Sequence, residues 1–318
     1  MYNFFLILVN FAALLWSATH LVSGASGLAY YYRLPPLLIG FTLVALGTSA
    51  PEIMIAIRAS LDGLNDIAIG NAIGSDIANI GFVLGLIALI RPLKVQPNFL
   101  KREFPLLFIA MLFIYSLMLD GYISIIDSCL SLLVCLLFIG YVLYTLKNSI
   151  AQHQITEEFR QAVLRKHSLR NYAFSLCVGL IVVPISAKFL IINSSHLARQ
   201  FGLSDLFIGL TLMALGSSLP ELLTSILAIR RGADDIAIGT ILGANVFNLL
   251  AVLIFPGLIH PSLISHAILW RDMPVMFLTT IILLWINTRH QKITRWHGGI
   301  LILVYCSYIL SLFISAAR

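Results

Sequence analysis

Two glutamates, Glu52 and Glu221, each close a short polar motif inside a long apolar run. The motifs are Gly47-Thr48-Ser49-Ala50-Pro51-Glu52 and Gly216-Ser217-Ser218-Leu219-Pro220-Glu221. A charged side chain at the centre of a bilayer costs roughly 2.5 to 17 kcal/mol. Two carboxylates held in matched settings therefore point to a bound cation rather than to packing, and Lys188 is the only basic residue well inside an apolar run. At helical spacing Ala45, Thr48, Ser49 and Glu52 share one face, as do Ala214, Ser217, Ser218 and Glu221. Pro51 cannot donate to the Gly47 carbonyl, nor Pro220 to that of Gly216, so each motif frees a carbonyl beside its hydroxyls and its carboxylate.

The run after each motif supplies a second wall. Gly70-Asn71-Ala72-Ile73-Gly74 and Gly239-Thr240-Ile241-Leu242-Gly243 have the small-xxx-small spacing that lets helices approach closely. Ser75 and Asn79 lie one turn apart, and Asn248 is the mirror of Asn79. The donors are all oxygen, with no Cys or His in the motifs, which argues against zinc or copper. Ca2+ takes about 6–8 oxygens; Na+ accepts the same ligands, and glutamates also take protons. Cys129, Cys135, Cys177 and Cys306 fall in apolar segments without metal-ligand spacing and read as packing residues. No cofactor is implied.

The elements that must position these residues are membrane helices. Of 318 residues 59% are hydrophobic and 11% charged, against about 25% charged in soluble domains. The apolar runs are continuous rather than alternating, so helices and not a barrel satisfy the backbone. Ten spans are expected: Tyr2–Ser23, Pro36–Ser60, Ile67–Ile90, Glu103–Leu119 and Tyr122–Leu146, then Asn171–Ser194, Leu206–Arg230, Ile236–Ile259, Ala267–Asn287 and Gly298–Ala316. Numbering the loops alternately puts fifteen Lys and Arg on one side and four on the other. The richer side is cytoplasmic, with both termini outside. The net charge of +6 thus serves membrane orientation and not nucleic-acid binding. Phe4 to Leu15 lacks a positive n-region and reads as an uncleaved first helix. The 147–170 stretch is a cytoplasmic connector too short for a folded regulatory domain.

The two motifs are copies. Asp66-Ile67-Ala68-Ile69-Gly70 recurs unchanged as Asp235-Ile236-Ala237-Ile238-Gly239, and Gly74 and Asn79 map onto Gly243 and Asn248, all at the same offset of 169 that relates the glutamates. Each half, 1–146 and 171–318, holds five spans. An odd number inverts the second copy, giving the inverted-topology repeat recurrent among secondary transporters. The expected fold is all-α and integral to the membrane, with about ten helices in two inverted five-helix repeats.

Gly-Thr-Ser-x-Pro-Glu with Gly-Asn-x-x-Gly-Ser-x-x-x-Asn, duplicated with inversion, resembles the Ca2+/cation antiporter superfamily, and within it the prokaryotic sodium/calcium exchanger branch. The resemblance implies that Glu52 and Glu221 bridge the central ions. Thr48, Ser49, Ser217 and Ser218 would add hydroxyls, and Ala45 and Ala214 backbone carbonyls, with Ser75, Asn79 and Asn248 completing the site. It also implies that the first and sixth spans slide across the other eight. The sequence departs from the family pattern at Ala244, where a hydroxyl would mirror Ser75, and at Asn248, where some members carry a carboxylate. Asp76, aligned with Asn245 in the repeat, supplies another acid and reads either as part of the ion pathway or as an interhelical hydrogen-bonding group. The expected function is exchange of Ca2+ for Na+ by alternating access, with Ca2+/H+ antiport as the alternative. An intramembrane hydrolase lacks a His-Glu-x-x-His motif or a Ser/His pair near the site, and a passive channel would ignore the trans ion. A compact chain without a large regulatory loop fits a bacterial inner membrane and a functional monomer, with inorganic cations and the bilayer as its partners.

Overall fold

A chain of apolar runs must close its backbone hydrogen bonds within each segment, and the computed structural model is accordingly almost all helix. It describes residues 2–32, 36–95, 97–150, 169–200, 214–290 and 292–316. The helices are α1 (Tyr2–Tyr31), α2 (Pro36–Ile39), α3 (Ala45–Thr48), α4 (Ala50–Leu61), α5 (Asn65–Ala78), α6 (Gly85–Ile90), α7 (Pro97–Met118) and α8 (Ile125–Ile150). After the connector come α9 (Leu169–Gln200), α10 (Ala214–Ser217), α11 (Leu219–Arg230), α12 (Asp234–Phe247), α13 (Ile254–Ile259), α14 (Met273–His290) and α15 (Arg295–Ala316). Most of the connector (151–168), the start of the expected seventh span (to residue 213), Arg33 and Arg318 lie outside the described residues.

Among the described residues seven helical stretches are long and apolar enough to cross a bilayer: Phe5–Ala29, Asn65–Ile90, Ile125–Thr145, Leu169–Leu190, Asp234–Ile259, Ile268–Thr288 and Arg295–Ile314. Gly40–Thr48 with Ala50–Leu61 makes an eighth when read through its break, and Glu103–Met118 is a shorter apolar helix. These correspond to nine expected spans, and α10 with α11 is the described part of the remaining one, the seventh. The outward faces are greasy, with Ile126, Leu133, Leu137 and Leu143 of α8 all exposed, as a lipid-facing surface requires. Lys188 is exposed on α9 and not in the buried interior.

Packing divides the chain into two compact units, Met1–Pro51 with Leu137–Ala244 and Glu52–Leu136 with Asn245–Arg318. Each draws on both sequence repeats, so the duplication describes ancestry of segments and the packing crosses it. In the first unit α1 lies against α9. A Cβ on Gly24 would meet the Leu176 backbone at 2.3 Å, and one on Gly179 would meet Leu21 at 2.5 Å. As one number rises the other falls, so the pair is antiparallel. This close contact explains why α1 runs to Tyr31 rather than ending at Ser23. Ser23, Gly24, Ser26 and Gly27 look like a polar break, yet they are the small residues that admit the neighbouring helix.

In the second unit, Phe82 of the Asn79–Leu84 turn stacks near Tyr305 of α15 with ring centroids 5.6 Å apart. Among the described residues four two-residue strands form two antiparallel ribbons that all-α patterning did not anticipate. β1 (Leu93–Lys94) pairs with β4 (Lys292–Ile293), and β2 (Tyr122–Ile123) with β3 (Ser262–Leu263). Each ribbon joins a strand of one repeat to a strand of the other. Pieces this short carry no readable alternation.

Candidate cation site

Both motifs are broken helices. The break falls at Ser49 (φ −80°, ψ 1°) between α3 and α4, and at Ser218 (φ −86°, ψ 0°) between α10 and α11. These values lie in the sparsely allowed bridge region frequented by active-site residues. The prolines two positions later account for the interruption, since neither can donate to the preceding turn. Thr48, Ser49, Ser217 and Glu221 are fully buried and Ser218 nearly so. Thr48 lies beside the Glu221 carboxyl, and its hydroxyl donates to the Ala45 carbonyl at 3.1 Å. Both Glu221 carboxylate oxygens are buried, and Ser49 Oγ and Ser218 Oγ are buried and make no hydrogen bond among the described residues. Ala45 is buried on α3, and Ala214 opens α10.

The expected close helix approach is present at Gly243, where a Cβ would lie 2.3 Å from the Phe41 carbonyl oxygen. Around Gly74, its repeat mate, nothing among the described residues comes within 4 Å. Offset by 169, the mate of Phe41 is Leu210, which lies outside them.

In the second unit Glu52, Ser75, Asp76, Asn79 and Asn248 are all fully buried. Two π-helical turns begin on the motif asparagines, Asn79–Leu84 after α5 and Asn248–Val252 after α12. Their starts differ by the repeat offset of 169. Such turns insert an extra residue into a helix and recur at functional sites. The sequence carried no sign of them beyond the repetition itself.

Four side chains from these two stretches are hydrogen-bonded together. Asn248 Nδ2 donates to Asp76 Oδ1 at 3.0 Å, Asn79 Nδ2 to Asn245 Oδ1 at 3.0 Å, and Asn245 Nδ2 to the Asp76 carbonyl at 3.2 Å. Asn79 Oδ1 and Asn248 Oδ1 are buried and accept no hydrogen bond among the described residues. Asn245 is the residue that sequence reading left without a role. Its alignment with Asp76 in the repeat was the available signal. The structure thus brings Thr48 to Glu221 in one unit, and Asp76, Asn79, Asn245 and Asn248 together in the other.

The motifs are thus broken helices that carry buried oxygen groups in duplicate, and comparison with known proteins decides the family. The sequence profile described as "Sodium/calcium exchanger protein" matches residues 2–147 and 171–314. The chain belongs to the sodium/calcium exchanger family. The sodium/calcium exchanger MaX1 of Methanosarcina acetivorans is 30% identical, over 98% of each chain. Inner membrane protein YrbG of Escherichia coli is 38% identical, over 87% of this chain and 86% of its own length. A structure of the sodium-calcium exchanger NCX_Mj, soaked with Na+ and Ca2+, superposes with a TM-score of 0.83 at 30% identity, covering 98% of this chain and 99% of that one. Membership in the exchanger family makes the protein a multi-pass cation antiporter, not an enzyme, with the fold of two inverted five-helix repeats.

Proposed function

We propose that this antiporter exchanges Ca2+ for Na+ by alternating access, with Glu52, Glu221, Thr48, Ser49, Ser217, Ser218, Ser75, Asn79 and Asn248 and the carbonyls of Ala45 and Ala214 as its cation ligands. The observation that carries the reading is the set of buried oxygens that make no hydrogen bond among the described residues, Ser49 and Ser218 Oγ and Asn79 and Asn248 Oδ1, together with the buried Glu221 carboxyl. A buried acceptor left unsatisfied costs about 1–3 kcal/mol, more when charged. A hard cation coordinated by oxygen removes that cost and selects these donors over softer ones. MaX1 is named a sodium/calcium exchanger and NCX_Mj was soaked with both ions, which supports the same pair here.

An empty site carrying the Glu52 and Glu221 charges resists passage through a dry barrier, whereas neutralisation by Ca2+ or by monovalent cations permits it. That difference favours exchange over leak. The glycine-lined contact of α1 with α9 holds together the first and sixth spans, the pair that the family resemblance implies slides across the other eight. The same reading puts repeats at 1–146 and 171–318, the connector in the cytoplasm and both termini outside. It also puts a monomer in a bacterial inner membrane, as the name of YrbG suggests.

The test is 45Ca uptake into proteoliposomes under an imposed Na+ gradient, and separately under a pH gradient. Uptake driven by Na+ and indifferent to pH is expected. Uptake driven by the pH gradient alone would reassign the counter-ion to H+, and uptake indifferent to both would make the protein a passive channel.

A further inference from the structure

The four-residue cluster in the second unit has a property that the ligand assignment does not use. Asp76 and Asn245 are repeat mates, and so are Asn79 and Asn248. The Asp76–Asn248 bond is therefore the mirror of the Asn245–Asn79 bond, one crossed pair made twice with a carboxylate in one copy and a carboxamide in the other. The chemistry of the partners fixes which way each amide faces. A carboxylate only accepts, so Asn248 must turn its NH2 to Asp76 and keep its oxygen on the other side. The Asp76 carbonyl also only accepts, so Asn245 gives it an NH2 and presents its own oxygen to Asn79. Asn79 must then donate as well. Both motif asparagines are left with a buried oxygen that accepts no hydrogen bond among the described residues.

We propose that Asp76 and Asn245 are positioning residues that clamp the amide nitrogens of Asn248 and Asn79, so that the amide oxygens serve the transported cation, and that the Asp76 clamp also weights the site toward divalent ions. This rests on the cation-exchange reading above. The Asn248–Asp76 bond is charge-assisted and so roughly twice as strong as its neutral counterpart. The Asp76 charge, one amide group away from the ion, acts through space in proportion to ionic charge. A divalent ion consequently feels twice the attraction that a monovalent ion feels at the same place.

Three variants separate the parts. Asp76→Asn keeps an acceptor for Asn248 and removes the charge. Asp76→Ala removes both. Asn245→Ala frees Asn79 without altering charge. The first readout is the concentration of Ca2+ or Na+ giving half-maximal thermal stabilisation of the purified protein, which needs no transport; the second is 45Ca uptake. For Asp76→Asn the Ca2+ value is expected to rise by the square of the Na+ factor, for example about tenfold against about threefold. Asp76→Ala should weaken both ions further. Asn245→Ala should weaken both by one common factor.

Equal factors for the two ions in Asp76→Asn would overturn the divalent weighting. Asp76→Ala no worse than Asp76→Asn would overturn the clamp, as would ion-binding curves unmoved in all three variants. If the unaltered protein binds ions in the melting assay but shows no counter-ion-driven uptake, the exchange reading fails while the clamp is still judged by the binding curves. If the unaltered protein binds neither ion, both fall.

Discussion

The helix pair α5–α6 of the first repeat and its counterpart α12–α13 of the second have closely matching backbones, with π-helical turns of six and five residues, and different chemistry. Both are preceded by a glycine in the left-handed region, Gly63 at φ +73° and Gly232 at φ +75°. Both widen into a π-helical turn on an asparagine, and β1 and β3 follow at the same offset of 169. On this common frame the first helix carries Ser75 and Asp76 where the second carries Ala244 and Asn245, all buried. Backbone shape follows from turn residues and helical period, and these were duplicated. Charge was not needed to keep that shape. An acceptor-only carboxylate and a carboxamide anchored by a third bond orient a neighbouring amide equally well.

The largest effect expected from breaking this comparison is at the glutamates. Glu52→Gln and Glu221→Gln keep shape and remove one charge each. Each should lower Na+-driven 45Ca uptake by about a hundredfold or more, since even supporting partners of metal sites are worth 10–100-fold. Grossly unequal losses would show that the two motifs do not contribute alike. Next in size is the charge transposition Asp76→Asn with Asn245→Asp. The double variant rebuilds the four-residue cluster as its own mirror image, so it should recover most of the roughly tenfold Ca2+ weakening expected of Asp76→Asn alone. Ion titrations followed by thermal stabilisation read this directly, and failure to recover would mean that the halves are not interchangeable.

A smaller effect is structural. Gly243→Ala drives a methyl into the Phe41 carbonyl, where backbone cannot yield as a side-chain tip could. It should cost about 1–3 kcal/mol, seen as a lower unfolding midpoint in the same detergent. Smallest are Gly63→Ala and Gly232→Ala, each expected to cost about 1 kcal/mol through the left-handed backbone. Their shifts in midpoint should match, and a difference would locate where the two copies of the frame diverge.

Much of this was legible beforehand for a physical reason. Glu52 and Glu221 stand out because a charge in an apolar run is costly wherever the chain folds. Pro51 and Pro220 announce a broken helix because a missing N–H is a local fact. Other features were not legible. The end of α1 was misread at Ser23 because small residues look alike whether they meet water or another helix. The ribbons β1–β4 and β2–β3 pair distant segments over two residues each. Asn245 looked inert because its role lies in what Asn79 and Asp76 require of it.

By itself the sequence determined the helical membrane class, the inverted duplication at an offset of 169, the polar residues gathered in the two motifs and the places where their helices break. Each of these depends on covalent structure, on period or on the cost of charge in lipid. Only the tertiary structure decided that α1 lies antiparallel on α9, that π-helical turns begin at Asn79 and Asn248, and that Asp76 and Asn245 hold those two amides by the nitrogen. The direction an amide faces depends on which groups accept from it, and those groups come from segments 166 and 172 residues away.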